Sequence, residues 1–172
     1  MIDIHCHILP GIDDGALNLT DTAEMCQTAV RDGIHTIVAT PHTHNGSFEN
    51  LPQSVEGVTK STQDFLDKEG VNIKLIPGVE VHACPGFAEL ILDKTVGSYD
   101  KSGKYFLVEL PHDSIPDNFK DDIFNLGLQG ITPILAHPER NLAFQKDPEL
   151  LDELVRMGAL CQVTAFSVRG VF

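Results

Sequence analysis

Short apolar runs and amphipathic stretches change places along the whole chain. Residues 2–4 alternate apolar and polar side chains, as a half-buried strand does. Residues 21–32 have helical spacing, with Asp21 placed to cap, Glu24 three residues later and Gly33 as the stop. The β-rich run 36–39 ends at Thr40-Pro41, and 54–68 is a polar amphipathic helix closed by Gly70. Residues 71–76 are strand-like up to Pro77-Gly78, with 79–81 as their extension. A short helix over 87–92 precedes a strand over 105–110, a helix near 118–126 and a buried-type strand over 131–136. Asp147 and Pro148 make a good helix start, Gly158 follows that helix, and 159–163 is the last strand candidate. About six strands alternating with helices predict an α/β fold on a parallel sheet. No repeat or linker interrupts the pattern, so residues 1–172 read as a single domain.

Composition narrows the class. With 42% hydrophobic residues the chain can build a core, which removes disordered, collagen-like and low-complexity readings. Lys and Arg number 12 against 25 Asp and Glu, a formal net charge of −13 that speaks against a nucleic-acid surface. The same acidity, with 8 His, supplies oxygen and imidazole metal ligands. Cys6, Cys26, Cys84 and Cys161 form no C-x-x-C pair and are too sparse for a disulfide scaffold, which points to the cytoplasm. No leader-like segment opens the chain, and no apolar run approaches the ~18–20 residues that span a bilayer. Membrane insertion is therefore not expected.

The placement of histidines and acids changes the picture most. His5 and His7 lie two apart on a strand, so both imidazoles share one face while Cys6 takes the other. His42 follows the second strand, Glu80 lies beyond the third, Glu109 ends the fourth and His137 follows the fifth. A ligand-type residue at each strand's C-terminal end is the arrangement of a barrel active site. It disfavours an open doubly wound sheet, whose sites collect at one switch point. One His after a strand is an ordinary surface or capping residue, but a succession of such strand ends is not explained that way. Glu109 adds weight, because a carboxylate closing Phe106-Leu107-Val108 is costly to bury unless paired or metal-bound.

Imidazole and carboxylate without thiolate suit Mn, Fe or Zn in a multinuclear hydrolytic centre. Such a centre activates water at neutral pH and clamps a tetrahedral substrate group. Asp13 and Asp14 add two carboxylates, of which one could ligate; the alternative is a turn with solvated acids. Arg140, three residues after His137, can offer a bidentate fork to phosphate oxygens or pair with Glu139 or Glu149 at the surface. His35 opens the second strand at the opposite end and reads as structural. His44, His82 and His112 fall in loops near the rim and read as exposed. Other phosphate chemistries lack their residues: Cys26 and Arg31 have the wrong spacing and context for a cysteine phosphatase, and no Walker loop, G-x-G-x-x-G or G-x-S-x-G occurs.

The stretch Met1-Ile2-Asp3-Ile4-His5-Cys6-His7 through Asp13-Asp14-Gly15 resembles the opening of the bacterial capsular-polysaccharide tyrosine phosphatases, members of the polymerase-and-histidinol-phosphatase (PHP) superfamily. Ala39-Thr40-Pro41-His42, Pro77-Gly78-Val79-Glu80, Val108-Glu109-Leu110-Pro111 and Ala136-His137-Pro138-Glu139-Arg140 match further blocks in order, and 162–172 resembles the segment after the sixth strand. The resemblance implies a distorted seven-stranded β/α barrel holding two to three metal ions, usually Mn. It implies hydrolysis of phosphotyrosine on the tail of a cognate autophosphorylating tyrosine kinase that controls exopolysaccharide synthesis. By motif, it makes His5, His7, Asp14, His42, Glu80, Glu109 and His137 metal ligands, with Glu80 bridging, and gives Arg140 the phosphate-holding position. The family's late Asp-x-His pair and last strand have no match here. The chain therefore reads as C-terminally incomplete, with an uncovered edge that favours homo-oligomers and with weak, metal-stimulated turnover. Two other readings keep the same residues: a small-molecule phosphoesterase of histidinol-phosphatase type, and a non-catalytic module that binds metal or the kinase tail.

Overall fold

A computed structural model describes residues 1–171; Phe172, the last residue of the family-like segment 162–172, lies outside them. The apolar pattern resolves into two parallel sheets. Strands β1 (Ile2–Cys6), β2 (Thr36–Ala39) and β4 (Lys74–Pro77) form one in the order β1-β2-β4. Strands β3 (His42–Thr43), β5 (Glu80–His82), β6 (Tyr105–Glu109), β7 (Thr132–Ala136) and β8 (Leu160–Gln162) form the other in the order β3-β5-β6-β7-β8. Residues 79–81 thus do not extend the strand before them. Pro77-Gly78 turns the chain, and Glu80–His82 joins the second sheet. His42–Thr43, two residues long, is too short for any period to reveal.

The α-helices among the described residues are α1 (Leu19–Arg31), α2 (Pro52–Lys68), α3 (Phe87–Leu92), α4 (Phe119–Leu128), α5 (Leu142–Lys146), α6 (Pro148–Arg156) and α7 (Ala165–Val168). On α4, Phe119, Ile123 and Leu126 recur at helical spacing and are fully buried, each contributing roughly 1.5–3 kcal/mol by leaving water. They join Val81, Val108 and Leu135 in the large core between sheets and helices. Asp147 caps α6 as the sequence predicts. The cap of α1 differs: Asn18 Oδ1 accepts from the backbone N–H groups of Thr20 and Asp21. Asp21 instead accepts from the Leu17 N–H, stapling the turn that leads in.

A second, smaller apolar cluster joins Val38 of β2, Tyr99, Leu107 of β6 and Ala136 of β7. Because it draws on both sheets, their inner faces look onto one interior. The outermost strands, β1 and β8, come together at their C-terminal ends, where His5 Nδ1 lies 2.7 Å from Gln162 Oε1.

Candidate metal centre

Strand periodicity carries the interior outward into the site. Side chains two apart on a strand share a face, so Glu109 follows Leu107 on the inner side of β6. Parallel register sets His42, Glu80 and Leu107 beside one another across β3, β5 and β6, and places His82 beside Glu109. His5 comes from β1, and His7 from the segment just after it. His137 follows β7 in a left-handed conformation, φ +33°, which a non-glycine residue holds only when its surroundings fix it. Its N–H donates to the Gln162 carbonyl at 2.8 Å.

Glu80 is the centre. Its side chain has 0% exposure, and four imidazoles face it: His5 Nε2 at 3.2 Å, His7 Nε2 at 3.3 Å, His42 Nδ1 at 3.1 Å and His137 Nε2 at 3.3 Å. Glu109 lies 3.6 Å from His42 Nδ1 and 3.9 Å from His137 Nε2. Asp14, largely exposed, reaches to 3.6 Å from His42 Nε2. All seven residues predicted as ligands are therefore brought together. Burial pushes the Glu80 carboxyl up, but the four imidazoles outweigh it and hold the group far below the usual carboxylate range. Burial likewise lowers His42, and Glu80 more than reverses that.

Asp13 and Asp14 part company. Asp14 points to the cleft, whereas Asp13 is buried and accepts a hydrogen bond from His7 Nδ1–H at 2.6 Å. That leaves His7 Nε2 facing Glu80, the orientation a ligand imidazole needs. The spacing of two adjacent acids gave no means of sorting these roles. Arg140 donates from Nη2 to Thr164 Oγ1 at 3.1 Å, and Thr164 in turn donates to Glu139 Oε1 at 3.0 Å. His82 is half-buried at the end of β5 with Nδ1 3.5 Å from Glu109, a strand residue rather than an exposed loop one. His44 is half-buried too, with Nδ1 3.3 Å from Glu49. His112 is exposed on the rim, as expected, whereas His35 is exposed at the start of β2 with Nδ1 3.0 Å from Thr36 Oγ1.

The donor set fits divalent cations. Both oxygens of Glu80 and Nδ1 of His42 are buried without a hydrogen-bond partner of good geometry among the described residues. Such groups are too costly to leave unsatisfied. Donors ~2.1 Å from one shared ion, at tetrahedral or octahedral angles, lie about 3.0–3.4 Å apart, which is the spacing around Glu80. Three overlapping groups have this compactness: His5 with His7 and Glu80; His7 with Asp14 and His42; and His42 with Glu80 and Glu109. They open on a cleft of about 800 Å³ whose wall includes Leu110, Pro111, Leu142 and Arg140. A buried polar floor with an apolar wall and one guanidinium suits an anionic group carried on an apolar one.

Comparison with known proteins is consistent with this geometry. The family described as capsular polysaccharide synthesis, CpsB/CapC, matches residues 1–172. The chain is 40% identical over 172 residues to the tyrosine-protein phosphatase YwqE of Bacillus subtilis (strain 168), covering 100% of this chain and 67% of that protein. It is 26% identical over 168 residues to the tyrosine-protein phosphatase CpsB of Streptococcus pneumoniae, covering 98% of this chain and 69% of that protein. One of the crystal structures of YwqE from Bacillus subtilis and CpsB from Streptococcus pneumoniae, described as unique metal-dependent tyrosine phosphatases, matches 100% of this chain and 69% of its own, with a TM-score of 0.95 and 40% identity. The chain thus spans about two thirds of the length of these relatives. No helix among the described residues is long and apolar enough to cross a membrane.

Proposed function

The chain belongs to the CpsB/CapC capsular polysaccharide synthesis family, and on that premise we propose that it is a metal-dependent protein-tyrosine phosphatase working in the cleft around Glu80. The observation that carries the reading is the fully buried Glu80 carboxylate, met by four imidazoles and open on one side to a large cleft. The proposed ligands are His5, His7, Asp14, His42, Glu80, Glu109 and His137, with Glu80 shared between ions. Mn, Fe and Zn all suit this donor set, in two to three positions. The proposed architecture is the PHP-type β/α barrel, supported by two parallel sheets around one interior.

Metal ions held there would supply Lewis-acid polarisation of the phosphoryl group and a nucleophilic water at neutral pH. The chain's own residues do the rest. Arg140, steadied by Thr164, turns its fork to the phosphoryl oxygens and offsets the charge that builds on them. Leu110, Pro111 and Leu142 give the tyrosine ring an apolar wall. Asp13 keeps the His7 proton on Nδ1. The departing phenolate has a parent pKa of ~10, so it leaves without strong help from a general acid. The proposed source of phosphotyrosine is the tail of a cognate tyrosine kinase, met in the cytoplasm, where the free thiols of Cys6, Cys26, Cys84 and Cys161 stay reduced.

Steady-state hydrolysis tests this reading. A phosphotyrosine peptide and histidinol phosphate are compared with added Mn²⁺ and after chelation. Peptide turnover that chelation abolishes is expected, together with a loss of roughly 10²-fold or more in kcat/KM for Arg140→Ala at unchanged metal content. Turnover of histidinol phosphate alone, or peptide turnover indifferent to chelation, would overturn it.

A further inference from the structure

Gln162 closes β8, and its side chain reaches across to β1. Its Oε1 lies 2.7 Å from His5 Nδ1 and also receives the backbone N–H of His137 at 3.3 Å. The second contact identifies the amide atom. A backbone N–H only donates, so the atom facing it is the oxygen, not the amide nitrogen. An amide oxygen only accepts, so the His5 nitrogen beside it carries a proton. A neutral imidazole has one N–H; with that proton on Nδ1, the lone pair sits on Nε2. This is the nitrogen 3.2 Å from Glu80 Oε2 and 3.3 Å from His7 Nε2.

We propose that Gln162 is a positioning residue that fixes His5 as the Nδ1–H tautomer and so presents the Nε2 lone pair to a divalent cation shared with His7 and Glu80. The inference rests on the metal-centre reading above. His7 has a buried carboxylate, Asp13, for the same purpose. On His5 an amide orients the ring without burying another negative charge beside Glu80. Gln162 serves the neighbouring ligand as well, because its backbone carbonyl and its side chain both accept from His137 N–H. One residue thereby ties the site end of β1 to the left-handed turn after β7.

Two measurements on the full chain test this. Long-range ¹H–¹⁵N NMR of the protein in excess Zn²⁺ reads which ring nitrogen of His5 is protonated. Nδ1–H is expected in the wild type and in Gln162→Glu, which keeps an acceptor, and a mixture of tautomers in Gln162→Leu. Calorimetric titration with Zn²⁺ is expected to show Gln162→Leu weakened about 10–100-fold, with Gln162→Glu much closer to the wild type. A wild-type His5 protonated on Nε2 overturns the proposal without any variant. So does a Gln162→Leu protein with unchanged tautomer and Zn²⁺ affinity. If the wild type keeps the Nδ1–H tautomer yet binds neither Zn²⁺ nor Mn²⁺, the metal-centre reading falls, and with it the purpose assigned to Gln162.

Discussion

His7 Nδ1 lies 2.6 Å from Asp13 Oδ2, and the Asp13 side chain has no exposure to solvent. The same carboxylate accepts the Gly15 N–H at 3.0 Å and the His42 N–H at 3.3 Å, so one buried anion ties together the segments that carry three candidate ligands. Burial pushes the Asp13 carboxyl up, but His7 and these N–H groups hold it below its ordinary value. Burial pulls His7 down, but Asp13 and Glu80 carry it up to about 10.

Asp13→Ala removes the acceptor that orients His7 and leaves two backbone donors unpaired. Metal affinity is expected to fall about 10–100-fold, by calorimetric titration, with Asp13→Asn less affected because its amide oxygen still accepts. Equal affinities for Asp13→Ala and the wild type would refute the link.

Gly15 is packed against His7 so closely that a Cβ would stand 2.1 Å from the His7 carbonyl oxygen and 2.4 Å from the His7 Cβ. Backbone atoms cannot swing aside as a side-chain tip does. Gly15→Ala is expected to cost ~1–3 kcal/mol or more in denaturant unfolding and to displace His7 from the site. An unchanged urea midpoint would show that the loop gives way freely.

Asn141 holds the rim beside Arg140. Its Nδ2 donates to the Pro111 and Ser114 carbonyls at 2.7 and 3.1 Å, while Oδ1 caps α5 by accepting from Ala143 and Phe144 at 2.9 and 3.1 Å. Asn141→Ala is expected to cost ~1–3 kcal/mol, combining a lost cap with unsatisfied carbonyls. It should raise KM for a phosphotyrosine peptide while metal content stays the same, measured by steady-state kinetics beside elemental analysis.

Asp122 on α4 gives a stability effect with a definite pH sense. Burial, then the nearby Glu89 and Asp121, raise its carboxyl above the ordinary value. The folded chain therefore holds this proton more tightly than the unfolded one, a stabilisation present below the unfolded pKa of ~3.9 and lost as pH rises through the folded value. Asp122→Asn is expected to melt higher than the wild type at pH 7, with the gap closing at pH 3. Thermal melts at the two pH values check it, and a wild type that melts higher at pH 7 would contradict it.

Much of this site was legible in the residues themselves. In a parallel α/β fold every strand points its C-terminal end the same way, so His5, His7, Glu80, Glu109 and His137 could be assigned to one end from local pattern alone. β2 and α3 fall where the apolar spacing puts them, because Thr36–Ala39 is uniformly buried and Phe87–Leu92 is a compact apolar turn. Other features depend on contacts between distant segments. β3 exists only because His42 and Thr43 find Glu80 and Val81 beside them, and the break between β4 and β5 only because the second sheet takes Glu80. Asp13 and Asp14 are identical neighbours until the fold buries one against His7 and leaves the other in the cleft. Gln162 meets His5 across 157 positions of sequence, a pairing no local period encodes. Periodicity reports which face a side chain takes, since that follows from backbone geometry nearby. Which partner waits on that face is decided only when the sheets come together.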